Sequence, residues 1–183
     1  MEKTKMNILL DSNIWNFLYE NKIWLPDHFS QQKYNFFITK ELDFEIDPIP
    51  ISKSGLKEFI YKTIEAANIR IDTIFGFNNN SLPDSEQRIG GFDQGRFMSD
   101  EESKFSSLLR GYLGNKKKKS KLYNNEADIS IAVRSCRAVV LTLDAKEGPL
   151  SEAKRQGGNV VYLNDFKKGN QTIENFILQY IDH

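Results

Sequence analysis

The chain has 183 residues, a size for one domain or a domain with a small extension. Its 39% hydrophobic content is enough for a core and excludes wholesale disorder. Its 25 Lys and Arg balance 25 Asp and Glu, which excludes a strongly basic coat protein and a polyacidic tail but not a segregated charge distribution.

The N-terminal segment MEKTKMNILLDSN has a five-residue apolar run before Asp11 and does not read as a signal peptide. Residues 6–10 (MNILL) read as a buried strand of a parallel sheet. Asp11, Ser12 and Asn13 open a helix over 14–20, with Ile14, Phe17 and Leu18 on one face. Pro26 starts a further helical turn toward Gln32, and 34–38 (YNFFI) form a second strand. Thr39 N-caps a helix to Ile46, which the Pro-Ile-Pro at 48–50 ends. Leu56, Phe59, Ile60, Thr63, Ile64 and Ala67 keep the helical period over 53–68. Residues 69–74 alternate as a short edge strand. Residues 76–95, rich in Asn, Gly, Ser and Asp, form a long loop of the kind that is functional or disordered.

A Ser-Asp-Glu-Glu cap opens a helix over 99–112, closed by Gly111 and Gly114. A lysine run at 116–121 precedes a helix over 125–136 and an apolar strand over 138–143 that ends at Asp144. A helix over 149–156 stops at Gly157-Gly158, a strand follows over 159–163, and a closing helix spans 166–181 with Ile173, Phe176, Ile177 and Tyr180 inward. Alternating strands and helices imply an α/β three-layer sandwich around a mostly parallel sheet. The chain reads as one domain over 1–183 with a loop-and-helix insertion at about 69–121.

One cysteine, Cys136, forms no internal disulfide or zinc cage and reads as a small core residue; His28 and His183 add little metal capacity. No apolar run approaches the roughly 20 residues of a membrane span. A reducing, cytoplasmic setting with no membrane partner is expected.

Ligands of open α/β sheets bind outside the carboxyl ends of the strands, so an Asp at the last step of a strand carries weight. Asp11 follows NILL and Asp144 follows VVLTL, placing two carboxylates side by side on one sheet edge. Asp128 lies in the first turn of the helix leading into the second of these strands. Any one of them could be a helix cap. Three on neighbouring elements repel and desolvate one another, and a divalent cation is the usual compensation. An oxygen-only ligand set selects Mg²⁺ or Mn²⁺, which supports phosphodiester hydrolysis.

Four segments in order, NILLDSNIW at 7–15, FITKELDFEI at 37–46, EADISIAVRS at 126–135 and VVLTLDAKEG at 139–148, resemble the PIN-domain nuclease family. The resemblance covers both ends of the domain; residues 69–115 carry no motif of that family. It implies a parallel sheet in order 3-2-1-4-5 and Mg²⁺- or Mn²⁺-dependent cleavage of RNA, with one or two ions held by Asp11, Glu45, Asp128 and Asp144. It implies two ions about 3.5–4 Å apart clamping the attacking and leaving oxygens, with a metal-bound water as nucleophile. Glu41 competes with Glu45 for the helix position, because the two are spaced i, i+4 on one face; Glu45 is preferred. Thr142 matches the family's hydroxyl near the site and Asn13 its loop-positioning residue, with Glu147 a further outer carboxylate.

Lys116, Lys117, Lys118, Lys119 and Lys121 read either as a solvated loop or as a phosphate-contacting loop beside the Asp128 helix. Arg88 and Arg96 could guide substrate in the same way, or their loop could contact an antitoxin or other partner chain. Residues 110–137 hold 8 basic and 2 acidic groups, a net of +6, so the neutral total conceals a basic segment. Trp15 and Trp24 read as core or interface rather than base-stacking platforms.

A metal-dependent endoribonuclease, toxin-like or RNA-processing, is the leading expectation. The alternative is a non-catalytic module of the same fold binding RNA or a protein partner; a homodimer is compatible with either. A dehalogenase-type phosphatase would want Asp where this chain has Asn13.

Overall fold

The computed structural model describes residues 4–80 and 82–181. The first three residues of the N-terminal segment, Ser81 in the long loop, and His183 lie outside the described residues.

Strands β1 (Met6–Leu10), β2 (Tyr34–Thr39), β3 (Arg70–Asp72), β4 (Val139–Thr142) and β5 (Val160–Tyr162) form one all-parallel sheet in the order β3-β2-β1-β4-β5. In its register Ile8 sits between Phe36 on β2 and Val139 on β4. The central strands are buried on both faces, as their near-continuous apolar runs require. Helices α1 (Ile14–Glu20), α2 (Leu25–His28) and α4 (Ser54–Ala66) pack together as one layer. Helices α3 (Lys40–Ile46), α5 (Asp100–Leu109), α6 (Glu126–Arg134) and α7 (Pro149–Arg155) pack together as another, and α8 (Ile173–Leu178) is the last helix of the described residues. The fold is therefore the α/β three-layer sandwich expected, with the expected strand order. No helix among the described residues is long and apolar enough to cross a membrane.

Local chemistry explains most boundaries. The Thr39 hydroxyl accepts from the Leu42 amide at 3.3 Å, and Ser99 and Glu102 close a reciprocal capping box at the start of α5. Gly157 takes φ +88° just beyond α7, a left-handed step that a side chain disfavours. One expected helix is largely absent. Residues 166–181 do not form a single helix: only 173–178 are helical. Gly169 turns left-handed at φ +102°, and the Thr172 hydroxyl starts a new helix by accepting from the Asn175 amide at 3.1 Å. Ile173, Phe176 and Ile177 are buried as expected, but Tyr180 is not.

The long loop is held by its own side chains. Gln87 exchanges hydrogen bonds with the Asn79 backbone and donates to the Leu82 carbonyl at 2.9 Å. Bridges from Ile74 to Arg96 and from Phe75 to Gly90 lay it along the β3 edge. A β-carbon on Gly95 would meet the Phe75 nitrogen at 2.6 Å, so glycine is needed there for the backbones to touch.

Candidate active site

Asp11 leaves the end of β1, where the Leu141 carbonyl of β4 accepts from its amide at 3.0 Å, so the first loop begins against the neighbouring central strand. Its carboxylate is 2% exposed and accepts three hydrogen bonds: from the Ser12 amide at 2.7 Å, Asn13 Nδ2 at 2.7 Å and Thr142 Oγ1 at 2.6 Å. Asn13 occupies the N-cap position of α1 yet makes no capping bond. Its side chain instead bridges Asp11 and β4, donating to Thr142 Oγ1 at 3.3 Å and accepting from the Leu143 amide at 2.9 Å. Thr142 Oγ1 also accepts from the Asp144 amide at 2.9 Å. The two strand ends are thus stitched together by Asn13 and Thr142, and the Asp11 carboxylate is fixed in direction.

Three further carboxylates face it. Asp128 lies in the first turn of α6 but caps nothing. The cap position belongs to Asn125, in a left-handed conformation, whose side chain donates to the Tyr112 carbonyl at 2.9 Å. No hydrogen bond to the Asp128 carboxylate forms among the described residues. Burial, then Asp11, Glu45 and Asp144, push its pKa up to about 6, and the Lys118 ammonium offsets only part of this. Asp11 is also raised, by burial first and by Glu45, against the lowering effect of its hydrogen bonds. Glu45, half-buried on α3, meets Lys118 Nζ at 3.6 Å. Asp144 is exposed, with the Lys146 amide donating to its Oδ1 at 3.2 Å. The structure therefore brings together Asp11, Glu45, Asp128 and Asp144, from four separate segments, at the carboxyl edge of the sheet. Among the described residues no three His, Cys, Asp or Glu side chains are closed into a ligand cage.

Glu41 and Glu45 share a face of α3 but not a destination. Glu41 turns to α6, where the Ser130 hydroxyl donates to it at 2.5 Å. Glu147 is almost fully exposed and pairs with Arg155 at 3.3 Å.

A groove of about 510 Å³ opens beside the cluster, walled by Asn13, Trp15, Glu45, Pro48 and the turn from Lys118 to Ser120. Trp15 is buried in the core, and Trp24 is half-buried and packs edge-on against Phe59. The Ser120 hydroxyl, buried at the groove, has no hydrogen-bond partner among the described residues.

No protein-family model matches the chain, and no curated protein matches it. Among solved structures, a domain of a functionally unknown protein from Methanocaldococcus jannaschii DSM 2661 is similar at 15% identity and a TM-score of 0.40, over 92% of this chain and 98% of that one. At that score the fold described above rests on the chain's own strand pairing.

The basic residues divide by partner. Lys117 and Lys121 reach Glu86 at 2.9 and 3.8 Å, Lys118 reaches Glu45, and Lys116 and Lys119 have no ion pair among the described residues. The turn that carries them is anchored by Leu122, which is fully buried, and by the Lys118 amide donating to the Leu122 carbonyl at 2.7 Å. Arg88, expected to guide substrate, is instead paired with Glu126 at 2.8 Å and donates to the Lys121 carbonyl at 2.6 Å. Arg96, expected in the same role, is held by Asp72 at 2.7 Å and by Glu102. Both bind the insertion to the sandwich, and their charges are neutralised within the chain. Sequence reasoning missed the buried partner set of Arg96. Its signal was Asp72 at the end of β3, a third carboxylate at a strand end.

Proposed function

We propose that this chain is a Mg²⁺- or Mn²⁺-dependent endoribonuclease, in keeping with the resemblance of its four acidic motifs to PIN-domain nucleases. The observation that carries the proposal is Asp128, a carboxylate that caps no helix and is raised to about 6 by burial and by three other carboxylates. No backbone donor satisfies it among the described residues, and Lys118 offsets only part of the negative charge around it, which an external cation would relieve.

The donor set fits a hard ion, because Asp11, Glu45, Asp128 and Asp144 offer only oxygens. Asp144 is exposed, and Glu45 would exchange its Lys118 partner for the ion. A divalent ion, when bound, supplies Lewis acidity and lowers the pKa of water. The chain's own residues do the rest. Ser12, Asn13 and Thr142 fix the direction of Asp11, so its rotamer entropy is already spent before an ion arrives. The adjacent groove offers a path for a strand, and Lys118 and Lys119 at its rim, with Lys116 in the same loop, attract phosphate. RNA is the substrate proposed.

The test is cleavage of total RNA in Mn²⁺ by the wild type and by Asp11→Asn, with cut sites mapped. Discrete cuts by the wild type that the variant fails to make support the proposal. Equal cleavage by both would falsify the site assignment.

A further inference from the structure

Glu41 is the acid that the proposed centre leaves out. It lies one helical turn before Glu45 on α3 and is 9% exposed, at the floor of a second cavity of about 510 Å³ between α3, α5, α6 and the insertion. That volume falls within the roughly 300–1,000 Å³ of small-molecule sites. Ile74, Ile89, Ile129 and Val133 give it aliphatic walls and Ser106 and Ser107 a hydroxyl-bearing one, with Met98 and Leu113 at the exposed mouth.

Charge inside this cavity is unevenly spent. Arg134 is committed to Asp72 and to the Ser130 carbonyl and hydroxyl. Arg88 and Glu126 satisfy each other at 2.8 Å. Two charges are left. The Glu41 carboxylate, with about four acceptor positions, receives one hydrogen bond, from Ser130. The Arg110 guanidinium, exposed at the mouth, has no ion-pair or hydrogen-bond partner among the described residues. A buried carboxylate with unused acceptors, aliphatic wall residues and an exposed free guanidinium around one cavity describe a ligand: an apolar body, a pair of N–H donors and an anion.

We propose that this cavity is a binding site for a guanine nucleotide. Guanine presents a ring N–H and an exocyclic amino group side by side, and these two parallel donors match the two oxygens of one carboxylate. Adenine and cytosine offer one donor beside an acceptor lone pair, which a carboxylate repels; uracil offers one donor between two acceptors. The aliphatic walls take the faces of the base, and Arg110 takes the phosphate. The same chemistry is offered by a free guanine nucleotide and by a guanosine within an RNA strand. Asp128 lies two residues from both Glu126 and Ser130 on α6, a spacing that puts it on a different face of the helix from the cavity they line. Binding here does not rest on the proposed function.

The experiment is calorimetric titration of the full chain without metal, using guanosine monophosphate, adenosine monophosphate, guanosine and arginine amide. Guanosine monophosphate is expected to bind tighter than adenosine monophosphate by about tenfold or more, the discrimination of a bidentate base contact. Glu41→Gln keeps an oxygen for the Ser130 hydroxyl, so the fold is retained, and should abolish this preference. Arg110→Ala should weaken guanosine monophosphate toward the affinity of guanosine. The Asp11→Asn protein should bind guanosine monophosphate like the wild type, so failure of the nuclease proposal and failure of this one are separable. With that variant, tighter binding of a short RNA containing one guanosine supports a strand ligand, and tighter binding of the mononucleotide supports a free nucleotide. Equal affinity for the two monophosphates, no binding of either, or an unchanged Glu41→Gln variant overturns the proposal. So does binding of arginine amide alone, which would make the cavity the seat of a partner protein's arginine.

Discussion

Two groups of acids lie at strand ends of the same sheet, and the chain treats them oppositely. At the end of β3, Asp72 is buried and surrounded by cations: Arg96 at 2.7 Å, Arg137 at 2.9 Å and Arg134 at 2.5 Å. Burial alone would raise its pKa, but the three guanidiniums hold it well below the ordinary carboxylate range. At the ends of β1 and β4, Lys118 is the cation that acts on the Asp11–Asp128 group among the described residues, and Asp128 rises to about 6. Where the chain supplies its own cations, the acids are structural and tie the insertion, through Arg96 and Glu102, to the sandwich. Where it withholds them, the charge is left for something that binds.

The largest effect that would break this contrast concerns activity. Asp11→Asn should cut RNA cleavage by about 10³ or more, some 4 kcal/mol of transition-state stabilisation, with an unchanged far-ultraviolet circular dichroism spectrum. The structural group should answer in stability instead. Asp72→Ala strands Arg134, which is buried, and should cost about 3–5 kcal/mol in urea unfolding; a loss under 1 kcal/mol would put Asp72 in the same class as surface pairs.

Acidity separates the two groups further. Asp128 is raised from 3.8 to about 6, so between those values the folded chain holds a proton that the unfolded chain has lost. Its contribution to stability therefore falls as pH rises through that window, by up to about 3 kcal/mol. Asp72 is lowered, so its contribution is full above the ordinary value and lost as pH falls below it. Asp128→Asn should accordingly stabilise the metal-free chain at pH 7 and flatten the pH 4–6 slope of urea midpoints; a midpoint no higher than wild type would mean that Asp128 is not strained. Mn²⁺ at about 100 times its Kd should stabilise the wild type by about 2.7 kcal/mol and Asp128→Asn by much less, read as thermal midpoints.

The smallest effects belong to the lysines. Lys116→Ala and Lys119→Ala should each lower the salt slope of RNA binding by about 1, whereas Lys117→Ala, which breaks an exposed pair with Glu86, should change stability by under about 1 kcal/mol. Equal salt slopes for the Lys116 variant and wild type would remove that loop from the phosphate path.

The sequence by itself determined the strands and most helices, because apolar runs, the helical period and the Thr39 and Ser99 caps are local signals; the strand order was expected only from the resemblance to PIN-domain nucleases. It also placed Asp11 and Asp144 at the sheet edge, since an Asp after a buried strand has one place to go, and Asp128 at the start of the helix that leads into β4. Only the tertiary structure decided the rest. Glu41 and Glu45 cannot be told apart by spacing on one helical face; Ser130, 89 residues from Glu41, draws one away and leaves the other beside Asp128. Arg88 and Arg96 read as free cations until Glu126, Asp72 and Glu102 arrive from distant segments. The helix over 166–181 kept its period in sequence, yet Gly169 turned the chain. Helical period records which side chains face inward, not whether the backbone between them stays helical. Charge and partnership depend on neighbours that folding alone brings within reach.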